Sequence, residues 1–135
     1  MRGILADNDV AGQVATLLNI LEGHYWGDLW KEMNLTFHTF EEVGLSEDDP
    51  DSKIWRRCQE LEIVLITANR NADGPESLEL TIRRENEPTS LPVLTLSDSK
   101  RVEADREYAE RTAVGLIDYL FRIDDIRGTG RLYLP

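Results

Sequence analysis

Short apolar runs alternate with longer stretches of helical periodicity along the chain, and this pattern predicts an α/β domain. The apolar runs at 3–7 and 63–67 are typical of strands that are buried on both faces of a parallel sheet. A run at 92–96 has the same character, whereas residues 35–40 alternate and predict a less buried strand. Together they predict a three-layer α/β/α sandwich with a mostly parallel central sheet of about four strands.

Helical periodicity follows the strands. Apolar residues at every third or fourth position predict a helix after the first strand, with Asn8 or Asp9 as its cap. An acidic residue followed closely by proline predicts two further helix starts, at Asp49-Pro50 and at Asp73-Gly74-Pro75-Glu76. The alternation of strands and helices therefore continues through most of the chain.

The longest predicted helix spans about residues 102–123 and places Phe121 on its inward face. The glycine-rich tail at 124–135 is predicted either to add a short edge strand or to lie over the domain. No repeat or linker interrupts the pattern, so residues 1–135 are predicted to form a single domain.

Composition is ordinary for a globular protein, with 41% hydrophobic and 30% charged residues. No segment approaches the roughly 18 to 20 apolar residues that a membrane helix needs, so we expect a soluble protein that does not enter a membrane. The first strand begins almost at Met1, which predicts that there is no secretory leader. The single cysteine, Cys58, fits a helical core position and a reducing, cytoplasmic location.

The net charge of −11 changes the range of expected partners. A strongly acidic surface repels polyanions, so the composition argues against a general nucleic-acid binder. Bound cations, or basic residues gathered on one face, would offset this repulsion locally. Charge alone therefore leaves a nucleic-acid substrate open.

Acidic and amide side chains follow two of the predicted strands. Asp7 and Asp9 come after the first strand, and Asn69, Asn71 and Asp73 come after the strand at 63–67. Ligand crevices lie at the carboxyl ends of parallel strands, so these side chains converge if the two strands are neighbours. Hard divalent ions prefer oxygen ligands. We therefore predict a Mg²⁺ or Mn²⁺ site with Asp7, Asp9 and Asp73 as candidate ligands.

The same residues have ordinary structural roles as alternatives. Asp7, Asn8 and Asp9 can cap the following helix, and Asp51 and Asp73 lie where carboxylates are favoured by the first turn of a helix. Asn69 and Asn71 are either turn residues or neutral oxygen ligands and substrate contacts. The residues alone leave both interpretations open.

Motifs of several other enzyme classes are absent. Gly128-Thr129-Gly130 follows a predicted helix instead of opening one, so a dinucleotide-binding loop is excluded by its context. The chain has no Gly-x-Ser-x-Gly element, and Cys58 has no evident histidine partner. Arg70 is either a phosphate contact or an exposed surface residue.

Three short segments resemble the markers of small bacterial PIN-like domains. They are Ile4-Leu5-Ala6-Asp7-Asn8-Asp9-Val10, Asp49-Pro50-Asp51-Ser52-Lys53-Ile54-Trp55 and Val64-Leu65-Ile66-Thr67-Ala68-Asn69-Arg70-Asn71. In that family an aspartate ends the first strand, a Ser-Asp-rich turn precedes a helix, and a Thr-x-Asp-x-Asp element ends a later strand. PIN domains are similar to metal-dependent nucleases that act mainly on RNA, and many are toxins of toxin–antitoxin pairs. The resemblance covers roughly residues 1–75.

The resemblance implies a set of site residues by position. Asp7 matches the first-strand acid, Asp51 the middle acid, and Asn69 and Asn71 the two late acids. The two asparagines depart from the family pattern, because an amide carries no charge and is a weaker ligand for a hard cation. Asp73, two residues further on, is a substitute for the lost charge.

The leading hypothesis is a Mg²⁺- or Mn²⁺-dependent ribonuclease, of toxin type, in which a metal-activated water attacks a phosphodiester. Its candidate catalytic residues are Asp7, Asp51, Asn69 and Asp73, and its candidate substrate contacts are Arg70 and Asn71. The expected partners are RNA, an antitoxin-like protein and a second copy of the chain, bound through the last helix or the Tyr25–Trp30 segment.

Two other hypotheses fit the same pattern. One is a degenerate PIN-like module that binds a protein or small ligand without catalysis. The other is an unrelated flavodoxin-like fold in which the acids all act as helix caps.

Overall fold

A five-stranded sheet, parallel throughout, forms the centre of the computed structural model, which describes residues 1–135. The strands are β1 (Gly3–Ala6), β2 (Thr36–His38), β3 (Ile63–Thr67), β4 (Val93–Leu96) and β5 (Arg131–Leu134). Their order across the sheet is β2-β1-β3-β4-β5. The parallel sheet that the sequence predicts is confirmed, with one strand more than the four expected.

The extra strand comes from the tail. Of the two conformations predicted for residues 124–135, the edge strand is the one that forms, and β5 pairs with β4 over its whole length. Gly128 and Gly130 adopt φ values of +87° and +80°, which favour glycine. These two residues turn the chain into position for β5.

Six helices surround the sheet. They are α1 (Ala11–Glu22), α2 (Gly27–Met33), α3 (Asp51–Leu61), α4 (Leu78–Glu85), α5 (Ser99–Ala104) and α6 (Arg106–Phe121). Short 3₁₀ turns occupy Asn8–Val10, Glu41–Val43 and Ile123–Asp125. None of the helices combines the length and the apolar character that crossing a bilayer requires.

The core is divided between the two faces of the sheet. Ile4, Val64 and Leu94 point to one side, where they join the apolar faces of α1, α5 and α6. Leu5, Leu65 and Val93 point to the other side, where they join α3 and α4. Successive residues of a strand face opposite ways, so each strand contributes to both clusters. The result is the predicted three-layer α/β/α arrangement.

The predicted helix over 102–123 is wrong in its extent. The segment forms two helices, because the side chain of Asp105 accepts the backbone N–H of Tyr108 and caps a new helix there. Phe121, predicted to face inward, is 68% exposed. The inward face of α6 otherwise matches the prediction, and Leu116 and Leu120 are buried.

The predicted start of α3 is displaced by one residue. Pro50 occupies the cap position, so the helix begins at Asp51. The Asp49 carboxylate instead accepts the Ser46 backbone N–H and pairs with Lys53. On the inner face of the helix Cys58 is buried, as predicted, and burial raises the pKa of its thiol to about 12.

Candidate functional site

The site lies at the carboxyl ends of β1 and β3, which are neighbours in the sheet. Ala6 pairs with Ile66, so the next residues, Asp7 and Thr67, also lie side by side. The chain passes from β1 to β2 on one side and returns to β3 on the other, which makes this a topological switch point where α/β sheets open a crevice. The predicted convergence of the two strand ends is confirmed.

Asp7 is held by two hydrogen bonds. One carboxylate oxygen accepts the Thr67 hydroxyl at 2.8 Å, and the other accepts the backbone N–H of Asn8 at 2.9 Å. Thr67 is completely buried, and Asp7 is partly buried. The second bond caps the 3₁₀ turn at Asn8–Val10. The predicted capping of the following helix by Asn8 or Asp9 is wrong, because α1 begins after Val10 without a side-chain cap.

Burial raises the pKa of Asp7 above 3.8, because a desolvated carboxylate favours its neutral form. The hydrogen bond from Thr67 opposes this shift, since it stabilises the charged form. The nearby carboxylates of Asp9 and Asp51 add to the upward shift by repulsion. Asp7 is therefore an anion held at some cost beside two other acids.

Asp51 is connected to the same strand end by Asn69. The amide nitrogen of Asn69 donates to the Asp51 carboxylate at 2.9 Å. The backbone N–H of Asn69 donates to the Thr67 hydroxyl at 3.0 Å, and that hydroxyl in turn donates to Asp7. One continuous chain of hydrogen bonds thus joins the two carboxylates.

Two consecutive side-chain-to-backbone hydrogen bonds shape the turn after β3. The Asn69 side-chain oxygen accepts the Asn71 N–H at 2.8 Å, and the Asn71 side-chain oxygen accepts the Asp73 N–H at 2.9 Å. Both asparagine oxygens are therefore used in turn formation, one of the two roles predicted for them. Asp73 is exposed at the far end of this turn.

The predicted helix start at 73–76 is wrong. Gly74 adopts a φ of +87°, outside the helical region, and the helix begins at Leu78. Ser77 is its cap, with a hydroxyl that accepts the Leu80 N–H. Upstream of this cap, Glu76 accepts a hydrogen bond from the Ser52 hydroxyl, which ties the turn to the start of α3.

Acids that follow the neighbouring strands β2 and β4 have other partners. Glu42 accepts from Thr39 and lies 3.8 Å from His38, and Asp98 caps α5 by accepting the Arg101 N–H. Asp9 is exposed beside Asp7. The structure therefore brings Asp7, Asp51 and Asn69 together and leaves the other candidates at or beyond the rim.

The number and type of metal-ligating side chains determine how well a cation fits this crevice. No three His, Cys, Asp or Glu side chains are grouped so that they could hold a metal ion together. Mg²⁺ is nevertheless commonly held by one or two carboxylates while it keeps several waters. Asp7 and Asp51 supply two such carboxylates, and their repulsion favours a positive charge between them. The residues present therefore fit a hydrated cation better than a closed protein cage.

Arg131 is a site-supporting residue that the sequence did not indicate. From β5 its side chain donates to the Asn69 carbonyl at 2.8 Å and to the Thr95 hydroxyl at 2.7 Å. The side chain is only 6% exposed, and Glu79 lies 3.7 Å away. Its Nε and Nη2 atoms have no hydrogen-bond partner. The alternation of polar and apolar residues within Arg131–Leu134 is the sequence pattern that indicates a strand here, but the glycines before it obscured that pattern.

The strand order bears on the flavodoxin-like alternative. The order β2-β1-β3-β4-β5 is the doubly wound order of flavodoxin-like sheets. The claim that all the acids are caps fails, because Asp51 bonds to Asn69 and Asp7 bonds to Thr67 as well as to the turn. Architecture alone thus leaves the function to be argued from the side chains.

No protein-family model matches the chain, and no curated protein or solved structure matches it at a significant level. The resemblance to PIN-like domains therefore depends on the three short markers in the sequence.

Proposed function

We propose that the protein is a divalent-cation-dependent phosphodiesterase that acts on RNA, with its active site in the crevice at the ends of β1 and β3. One observation carries the proposal. Two carboxylates from distant parts of the chain, Asp7 and Asp51, meet at the switch point through Thr67 and Asn69. A helix cap or a turn requires no such long-range convergence.

Asp7 and Asp51 are the residues that would hold Mg²⁺ or Mn²⁺, with Asp9, exposed beside Asp7, and Asp73, exposed on the turn after β3, as further candidates. The chemistry that such an ion supplies is the activation of water and the stabilisation of charge on a phosphodiester. A bound cation would also reduce the repulsion between RNA and a protein with a net charge of −11, because it neutralises negative charge at the point of contact.

The surrounding residues have positioning roles in this proposal. Thr67 orients Asp7 by hydrogen bonding, and Asn69 orients Asp51 in the same way. Arg70 and Asn71 lie on the exposed turn beyond them, where they are candidates for contact with the substrate. The toxin-type role and the antitoxin-like partner implied by the resemblance stay predictions, and so does the homodimer through the last helix or the Tyr25–Trp30 segment.

Cleavage of an unstructured RNA in the presence of Mn²⁺ tests the proposal. We expect metal-dependent cleavage by the wild type and a loss of more than about 100-fold in Asp7→Asn, since removing even outer-shell partners of a metal site costs 10- to 100-fold. Asp28→Asn is the matched control, because it makes the same charge change at an exposed position on α2. Absence of metal-dependent cleavage, or full activity in Asp7→Asn, contradicts the proposal.

The second candidate is a non-catalytic binding module, and one observation favours it. The Asn69 amide satisfies the Asp51 carboxylate directly, so this acid has a partner without a cation. Calorimetric titration with Mg²⁺ or Mn²⁺ separates the two functions. Saturable binding in the micromolar to low-millimolar range supports the enzyme, and no binding supports the module.

A further inference from the structure

An exposed aromatic residue and an arginine meet at the carboxyl edge of the sheet, away from the acidic crevice. The Arg70 guanidinium carbon lies 5.2 Å from the centre of the Tyr133 ring. The Arg70 side chain is also fixed by a 2.8 Å hydrogen bond to the Ser97 carbonyl. Tyr133 remains 44% exposed although the arginine covers part of it. We call these two residues the Arg70–Tyr133 pair.

The sheet register relates this pair to the crevice. Thr67 pairs with Thr95, and Thr95 pairs with Tyr133, so these residues form one row across β3, β4 and β5. Asp7 continues the row on the β1 side, beside Thr67. Tyr133 is thus three strands from Asp7, a distance of about 14 Å at the usual strand spacing.

Space for a ligand adjoins the ring. Tyr133 lines a cleft of about 430 Å³ between α4 and β5. Arg83 and Arg131 line the same cleft, and the one acid among its lining residues, Glu79, already lies 3.7 Å from Arg131. With Glu79 paired to the buried Arg131, the exposed Arg83 leaves the lining of this cleft with a net positive charge, although the whole chain is acidic.

An aromatic ring beside a guanidinium has a specific ligand preference. Unpaired bases stack on tyrosine rings and on arginine planes, and arginine also binds phosphate. Arg70 is absent from all of the protein's ion pairs, so no carboxylate competes for its charge. The chemistry matches a single-stranded nucleic acid better than a duplex, whose bases are already stacked.

We propose that the Arg70–Tyr133 pair is a subsite that stacks one unpaired base of a single-stranded RNA whose backbone runs along the carboxyl edge of the sheet, outside the buried Thr95 and Thr67, from Tyr133 towards Asp7. The proposal rests on the phosphodiesterase function and names its substrate as unstructured RNA. The stacked base is not the one next to the cleaved phosphate, because the separation from Asp7 is too large.

Two readouts on the same variants test this subsite. The first is the equilibrium binding of a short fluorescent oligoadenylate, measured by anisotropy with Ca²⁺ present. The second is the Mn²⁺-dependent cleavage of the same oligonucleotide, resolved into kcat and KM. We expect Tyr133→Ala to weaken binding and raise KM by roughly tenfold or more, as loss of a base–aromatic stack does, with kcat unchanged.

The control variants separate stacking from folding. Tyr133→Phe keeps the ring and is expected to bind as the wild type does. Tyr25→Ala removes a tyrosine that is 85% exposed beyond the end of α1, and it is expected to leave both readouts unchanged. A merely structural role for Tyr133 would lower thermal stability without the change in KM.

The outcomes distinguish this proposal from the function on which it rests. Cleavage that is indifferent to Tyr133→Ala overturns the subsite and leaves the phosphodiesterase standing. Binding that depends on Tyr133 without any cleavage overturns the phosphodiesterase and retains the subsite. Failure to bind the oligonucleotide overturns the subsite, and failure to cleave it as well overturns both.

Discussion

At the scale of the residue, favourable hydrogen bonds and unfavourable electrostatics act together on the Asp7 carboxylate. Its carboxylate accepts two good hydrogen bonds, yet burial and the nearby acids Asp9 and Asp51 raise its pKa. A carboxylate that served only as a cap would stabilise the fold at neutral pH, whereas the Asp7 carboxylate carries an electrostatic penalty. Residues that retain such a penalty are characteristic of functional sites, where stability is given up for chemistry.

The penalty predicts a pH-dependent stability difference between the wild type and Asp7→Asn. The folded-state pKa of Asp7 is raised, so the penalty is fully present above that pKa and disappears as the pH falls below the unfolded value near 3.8. We expect Asp7→Asn to raise the free energy of unfolding at pH 7 by less than about 1 kcal/mol, since solvent screens a partly exposed group. Urea unfolding at pH 7 and pH 4 measures this. An advantage that persists unchanged at pH 4 contradicts the explanation.

At the scale of the element, the sequence was most informative where one interaction dominates. Continuous burial fixes β1 and β3, so their location and the convergence of Asp7 with the turn after β3 could be predicted from apolar runs alone. Helix boundaries that depend on a single capping residue could not be predicted in this way. Asp105 and Ser77 begin helices that the apolar pattern did not mark, because many polar residues can cap and only the folded backbone selects one.

The side-chain contacts in the site could not be predicted from the sequence either. Thr67 ended a predicted strand, but its bridging role depends on the register that places it beside Asp7. Arg131 is 62 residues from Asn69 in the chain, and only the docking of β5 against β4 brings the two together. Contacts of this kind are set by tertiary pairing, which local patterns do not encode.

The contacts of Arg131 predict a large effect of its removal. Arg131→Met deletes the donor to Asn69 and Thr95 and leaves Glu79 without its ion pair. We expect the free energy of unfolding to fall by about 2 to 4 kcal/mol, because breaking one partner of a buried pair leaves the other uncompensated. Arg83→Met, at an exposed position on the neighbouring helix, is the matched control and is expected to be nearly neutral.

Urea unfolding of these variants gives the measurement. Replacing Glu79 by Leu in the Arg131→Met background is expected to recover part of the loss, because an apolar pair no longer leaves a charge unpaired. Equal stability of Arg131→Met and Arg83→Met would show that the contacts of Arg131 contribute little.

At the scale of the whole molecule, an overall excess of negative charge accompanies a core that lies on both faces of the sheet. The net charge is −11, and the two apolar clusters fill the layers above and below the strands. Many of the ion pairs are local, between residues three or four apart in the chain, as with Arg122 and Asp118. Such exposed pairs contribute little, so long-range repulsion among the surplus acids is left uncompensated.

This surplus predicts stabilisation by monovalent salt. Raising NaCl from about 20 mM to about 300 mM shortens the screening length from roughly 20 Å to below 10 Å, which weakens repulsion between distant acids more than it weakens contacts. We expect the melting temperature to rise by a few degrees, as measured by circular dichroism without divalent ions. A melting temperature that falls with added salt would mean that the surface ion pairs outweigh the repulsion.

The amide of Asn69 bears on how folding would be related to the binding of the proposed cation. Clusters made of carboxylates alone depend on an ion to become stable, and some small metalloproteins remain unfolded until the ion arrives. Here the side-chain nitrogen of Asn69 donates a hydrogen bond to the Asp51 carboxylate, at a position where an aspartate oxygen would repel that carboxylate. The turn after β3 is therefore stabilised without a cation. Under the proposed function, folding is therefore expected to be independent of metal availability, so that scarcity of the cation limits activity and not the amount of folded protein.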